Sequence, residues 1–171
     1  MKTELERNNN RYQLFRYPPW AQQDNLQAWD AADEYLFQYL HDTPDIPQAK
    51  ILVLNDDFGA LALVFKERVS QWYSDSKVSE LGLRHNWQAN YGDEPNFNIC
   101  NSLDAVKSGP DLAIIKLPKN NQLLIEELIT LREIHPRNAK VITAGKANQI
   151  QKSTLSLFEK HLGPTHTSLA V

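Results

Sequence analysis

Apolar positions along the chain follow two alternating patterns. Short unbroken runs stand at 50–54 (KILVL), 111–117 (DLAIIKL) and 140–144 (KVITA). Strands covered on both faces of a parallel sheet read this way. Segments 69–73 (VSQWY) and 96–100 add two more strand candidates. Helical spacing fills the gaps. Leu26, Trp29, Leu36, Phe37 and Leu40 share one face opposite Asp30, Asp33 and Glu34, with Asp24 or Asn25 as cap. Further helices are expected at 60–68, from Asp75 or Ser76 to about Asn90, at 120–134 and at 153–162, the last stopped by Gly163-Pro164. Ahead of this core, 11–16 (RYQLFR) predicts a short edge strand that Tyr17-Pro18-Pro19-Trp20 breaks, and 165–171 is extended in character. Strands alternating with amphipathic helices predict an α/β fold, a mostly parallel sheet with helices on both faces. The expected division is a single domain, with an arm at 1–24 and an α/β core at 25–171.

A length of 171 residues suits one such domain. No apolar run approaches the roughly 18 residues that span a membrane, and Met1 to Asn10 is too polar for a signal peptide. The lone Cys100 excludes an internal disulfide and fits a reducing cytoplasm. The five histidines show no metal-ligand spacing, so no metal site is expected. Charge is uneven: residues 1–104 hold 9 basic and 16 acidic residues, while residues 105–171 hold 9 basic and 5 acidic. A net charge of −3 therefore leaves room for a basic face on the later half.

In open α/β sheets ligands bind beyond the carboxyl ends of the strands. After the first core strand stands Asn55-Asp56-Asp57-Phe58-Gly59, with one glycine where a nucleotide-binding turn uses two or three. Asp56 and Asp57 would repel phosphate and could tolerate an amine; they could equally cap the next helix, with Gly59 easing its packing on the sheet. Asp75 follows the second core strand and suits either a ribose hydroxyl or a helix cap. Lys116, Lys119 and Lys146 stand at later strand ends, with Arg137 and Lys152 expected nearby. They read as a phosphate-binding patch or as ordinary surface lysines. Tyr12, Phe15, Tyr17 and Trp20 could stack on bases or pack the arm onto the core. No activated nucleophile, nucleophile elbow or phosphate loop is present, so no catalytic residue is assigned.

Four blocks carry a family resemblance: 26–36 (LQAWDAADEYL), 51–61 (ILVLNDDFGAL), 116–119 (KLPK) and 153–164 (STLSLFEKHLGP). They resemble the amino-terminal half of the ribosomal RNA large subunit methyltransferase G family, from about residue 11 to the end. The resemblance implies a Rossmann-like methyltransferase fold in a two-half protein that uses S-adenosylmethionine to methylate a guanine N2 of 23S ribosomal RNA. The half with the catalytic Asn-Pro-Pro-Phe/Tyr motif would lie beyond this chain, which ends at Thr167-Ser-Leu-Ala-Val171 as if cut between halves. In this half the glycine-rich turn is reduced to Asn55-Asp56-Asp57-Phe58-Gly59, and the catalytic motif is Lys116-Leu117-Pro118-Lys119. A lysine ammonium only donates and cannot hold the target amine as an amide oxygen would. What the resemblance implies here is a degenerate copy that binds no cofactor at Asp56, Asp57, Gly59 or Asp75. Its expected partners are large-subunit ribosomal RNA and the catalytic half, in the cytoplasm and away from membranes. A purely structural domain and a free-standing S-adenosylmethionine-binding enzyme are the competing expectations.

Overall fold

The computed structural model describes residues 2–21, 26–135 and 139–168. It opens on an antiparallel hairpin, β1 (Glu4–Arg7) with β2 (Asn10–Gln13), outside the main sheet. The turn residues Asn8 and Asn9 have φ of 51° and 67°. Asparagine enters this left-handed region more readily than most residues, and a two-residue hairpin turn of this kind needs it twice. The strand expected at 11–16 is thus half of a hairpin whose turn signal is the Asn8-Asn9-Asn10 tract.

Helix α1 (Ala31–Asp42) begins later than its periodicity suggests because Asp30 caps it. The Asp30 carboxylate accepts from the Asp33 N–H at 3.2 Å, and the Asp33 carboxylate accepts in turn from the Asp30 N–H at 2.9 Å. Asp24 and Asn25, the caps expected from sequence, lie outside the described residues. There follow β3 (Ile51–Leu54), α2 (Ala60–Val64), β4 (Val69–Tyr73), α3 (Lys77–Tyr91), β5 (Asn98–Cys100), β6 (Leu112–Lys116), α4 (Asn121–Ile134), β7 (Lys140–Ala144) and α5 (Lys152–Leu162). Helix α2 stops four residues early, where Arg68 and Val69 both donate to the Phe65 carbonyl and turn the chain into β4. Residues 163–168 form no strand, so the extended segment expected at the end is unpaired as far as it is described.

The five core strands are parallel, in the order β5-β4-β3-β6-β7. Their alternating side chains feed two separate cores. Ile51, Val53, Trp72, Leu112 and Ile114 pack with Leu36, Phe37, Leu61, Leu83 and Trp87 from α1, α2 and α3. Leu52, Leu54, Tyr73, Ala113 and Ile115 pack with Leu124, Leu128, Leu131 and Phe158 from α4 and α5. Helices therefore cover both faces, and the carboxyl ends of β3 and β6 meet where the strand order reverses, the position at which such sheets form a crevice. No helix among the described residues is long and apolar enough to cross a membrane.

Candidate functional site

The crevice at the ends of β3 and β6 is filled by the chain's own side chains. Lys116, the last residue of β6, is only 5% exposed. Its Nζ lies 2.9 Å from Asp57 Oδ2, 3.0 Å from Asp33 Oδ2 and 3.3 Å from Asp30 Oδ1. Burial alone would lower the Lys116 pKa, but Asp33, Asp57 and Asp30 outweigh it and hold the ammonium charged well above the ordinary range. One cation faces three acids, so the most buried acid gives way: burial pushes Asp33 up to about 7, against the pull of Lys116. Asp30, more open to water, moves the other way. Burial raises it, and Lys116 with the Asp33 N–H more than reverses that.

The turn after β3 is equally occupied. Asp56 is 1% exposed. Its carboxylate accepts from the Leu61 and Ala62 N–H groups at 3.2 and 3.1 Å, and from the Trp72 indole at 3.0 Å. The expectation that Asp56 or Asp57 caps the next helix holds for Asp56, whereas Asp57 turns to Lys116. Gly59, at φ 98°, packs against α3 and not the sheet: a Cβ there would lie 2.9 Å from Leu83 Cδ1 and 3.2 Å from Leu83 Cα. The room its missing side chain leaves is taken by Leu83. Asn55, at φ 67°, closes the turn from the other face, its amide donating to the Lys116 carbonyl at 3.0 Å and to Glu127 Oε1 at 2.9 Å. Glu127 on α4 is fully buried, and burial pushes its carboxyl up to about 8 despite the Asn55 bond. It shares the buried face of α4 with Leu124, Leu128 and Leu131, which a mostly neutral carboxyl can join.

Asp75 is exposed, and Ser76 caps α3 in its stead, accepting from the Ser79 N–H at 3.2 Å. Beside β4 an open concavity of about 450 Å³ is lined by Tyr73, Ser102, Asp104, Glu126 and Thr130 among others. Its acidic walls suit no phosphate.

The lysines expected to act together separate into two kinds. Lys116 is corrected from a phosphate-binding candidate to a buried structural cation, because a strand-end lysine flanked by Asp30, Asp33 and Asp57 has its donors taken. Lys119, Lys146 and Lys152 are exposed. They stand on neighbouring segments: the Leu117 N–H donates to the Ala144 carbonyl at 3.1 Å, and a Cβ on Gly145 would meet Leu117 Cδ1 at 2.7 Å. Lys146 leads through a short turn into α5, which Lys152 opens. Arg137 lies outside the described residues. Sequence reasoning missed Asp30 and Asp33 as members of this site. The signal was present as a buried-side lysine in β6 with an acidic pair opening α1, but only the fold brings together residues 83 positions apart.

The family model described as RLMG N-terminal domain matches residues 2–171. A protein named ribosomal RNA large subunit methyltransferase G from Pseudoalteromonas atlantica is 46% identical over 99% of this chain and 45% of its own length. Its namesake from Klebsiella pneumoniae (strain 342) is 43% identical over 98% of this chain and 44% of its own. The chain thus spans less than half the length of these curated relatives. Among solved structures, a Streptococcus mutans protein put forward as a SAM-dependent methyltransferase superposes with a TM-score of 0.69 over 97% of this chain and 48% of its own, at 14% identity. A ribosomal protein L11 methylase from Lactobacillus delbrueckii subsp. bulgaricus gives 0.59 over 78% of this chain and 68% of its own, also at 14%. These likenesses establish the Rossmann-like methyltransferase fold expected from the sequence.

Proposed function

Because this chain belongs to the RLMG N-terminal domain family, we propose that it is the non-catalytic, RNA-handling half of an S-adenosylmethionine-dependent 23S ribosomal RNA guanine-N2 methyltransferase. One observation carries the reading: the crevice where a cofactor would lie is closed by Lys116 and its three acids. S-adenosylmethionine does not suit the residues present. The N–H groups at the start of α2 are spent on Asp56, the glycine gap is filled by Leu83, and Asp57, the acid nearest the turn, already holds an ammonium. A cofactor amine at Asp57 would have to displace the Lys116 ammonium from that carboxylate and break one contact of a buried ion cluster, in which Asp33 and Asp30 hold the ammonium in place. Asp75 alone keeps the position of a ribose acid, too little for a site.

Function then falls to the exposed basic corner. Lys119, Lys146 and Lys152 sit on adjacent segments at the carboxyl edge, and compact ammonium groups on flexible stems neutralise phosphates without reading sequence. The catalytic half and its active site would be supplied by the remainder of a full-length protein.

The test is a fluorescence anisotropy titration of this chain with a structured large-subunit ribosomal RNA fragment, at low and at physiological salt. Binding is expected to weaken with salt. In the K119A/K146A variant it weakens further, and the slope of log K against log salt becomes shallower by about 2, near one for each phosphate that a lysine no longer neutralises. No binding at low salt would overturn the RNA role and leave a domain that packs on the catalytic half.

A further inference from the structure

Three of the four tryptophans are buried and tied to carboxylates: Trp29 donates to Glu34, Trp72 to Asp56 and Trp87 to Asp93. Trp20 is 81% exposed. Its ring neighbour Tyr17 meets it at 61° with centroids 6.3 Å apart, so no described ring lies stacked on the indole. Tyr17 in turn meets His85 at 6.5 Å, and His85 meets Phe15 at 5.9 Å, all edge to face. The half-buried rings of Tyr17, His85 and Phe15 thus back the exposed indole.

This row is built on a fixed support. Asn86 of α3, fully buried, accepts from the Phe15 N–H at 3.1 Å and donates to the Phe15 carbonyl at 2.9 Å and the Phe58 carbonyl at 2.8 Å. One side chain therefore clamps the arm to the turn after β3. Gly82 lets that arm sit directly on α3: a Cβ there would lie 2.7 Å from Phe58 Cδ1 and 3.4 Å from Tyr17 Cβ. Arg16 places its guanidinium over the Phe58 ring at 5.0 Å. An indole offered from such a support needs little ordering on binding.

The other large exposed apolar residues among those described stand on separate segments: Leu26 ahead of α1, Tyr39 on α1, Val78 on α3 and Ile129 on α4. Trp20 is an exposed flat anchor backed by polar-tipped rings, which suits a nucleobase better than a broad protein interface. We propose that Trp20, backed by Tyr17 and His85, is a stacking platform for an unpaired base of the bound RNA. The proposal rests on the RNA reading above and adds a contact that exposed lysines cannot make: it selects single-stranded over paired segments.

Trp20 emission reads this directly, as the difference between the wild-type chain and W20F. A short single-stranded oligoribonucleotide and its fully paired duplex are titrated in turn, with acrylamide quenching measured before and after. The single strand is expected to quench Trp20 and protect it from acrylamide, while the duplex does neither. W20A weakens single-strand binding roughly 5- to 100-fold, the factor one base–aromatic stack carries, and W20F keeps most of it. The K119A/K146A variant loses affinity while its saturated Trp20 signal stays at the wild-type level. Binding with Trp20 unchanged and W20A at wild-type affinity would overturn the stacking platform and leave the lysine patch standing. Protection of Trp20 before any RNA is added would assign it to a protein contact and likewise overturn it. No RNA binding at all would fell the RNA reading and this proposal together.

Discussion

Replacing Lys116 with methionine is expected to lower stability by about 3–5 kcal/mol, the usual cost of removing one partner from a buried ion cluster. For a chain of this size that is a fall in Tm of roughly 6–20 °C, read by calorimetry or circular dichroism. Methionine fills much the same volume, so the loss is electrostatic: Asp33, 1% exposed, loses its cation and must either take up a proton or stay buried as an unpaired charge. The pH dependence fixes the sign. Burial already raises Asp33 to about 7 against the pull of Lys116, and without that pull it rises further. A folded value above the unfolded one means that folding takes up a proton, so the contribution is full below the unfolded value and is lost as pH rises through the folded one. The gap between K116M and wild type should therefore narrow as pH falls from the variant's higher Asp33 value to about 7, and change little below that, where Asp33 is protonated in both folded chains. A D33N/K116M double variant should recover much of the loss, since no unpaired buried charge remains. Equal loss at every pH with no recovery in the double variant would show that Lys116 acts through packing.

Asp56→Ala is the second large effect. It strands three buried donors at once, the Leu61 and Ala62 N–H groups and the Trp72 indole. An orphaned buried donor costs about 1–3 kcal/mol, and partial relaxation of the turn brings the sum to roughly 3–5 kcal/mol. Asp56→Asn, which keeps one acceptor oxygen, should fall between. Chemical denaturation with the m-value held constant is the measurement, and a loss below about 1 kcal/mol would mean that those donors find other partners. The result bears on function as well as stability, because these are the N–H groups that an anionic ligand at the start of α2 would use.

The sequence carried most of the architecture. The strands ILVL, VSQWY and LAIIK are buried as their composition says, and the helix stop at Gly163 fell where expected. What stayed hidden was non-local. Lys116 looked like a strand running out into water, since lysine in an apolar run usually marks the surface; its burial depends on Asp30 and Asp33 from a helix that precedes β3. The hairpin turn at Asn8-Asn9 was likewise hidden, because its meaning lies in two positive φ angles. Asp75 offered two equal readings, and only the backbone geometry gave the cap to Ser76. The degenerate turn was legible as missing glycines, while the way it is closed, by Leu83 over Gly59 and by Asp56 beneath, required the fold.

If the crevice at the ends of β3 and β6 is shut by Lys116 and its acids as proposed, this chain keeps the methyltransferase fold and binds no cofactor there. Calorimetric titration of S-adenosylmethionine into this chain tests it most directly. The account predicts no heat beyond dilution; saturable one-to-one binding would contradict it and make the chain a cofactor-binding domain in its own right.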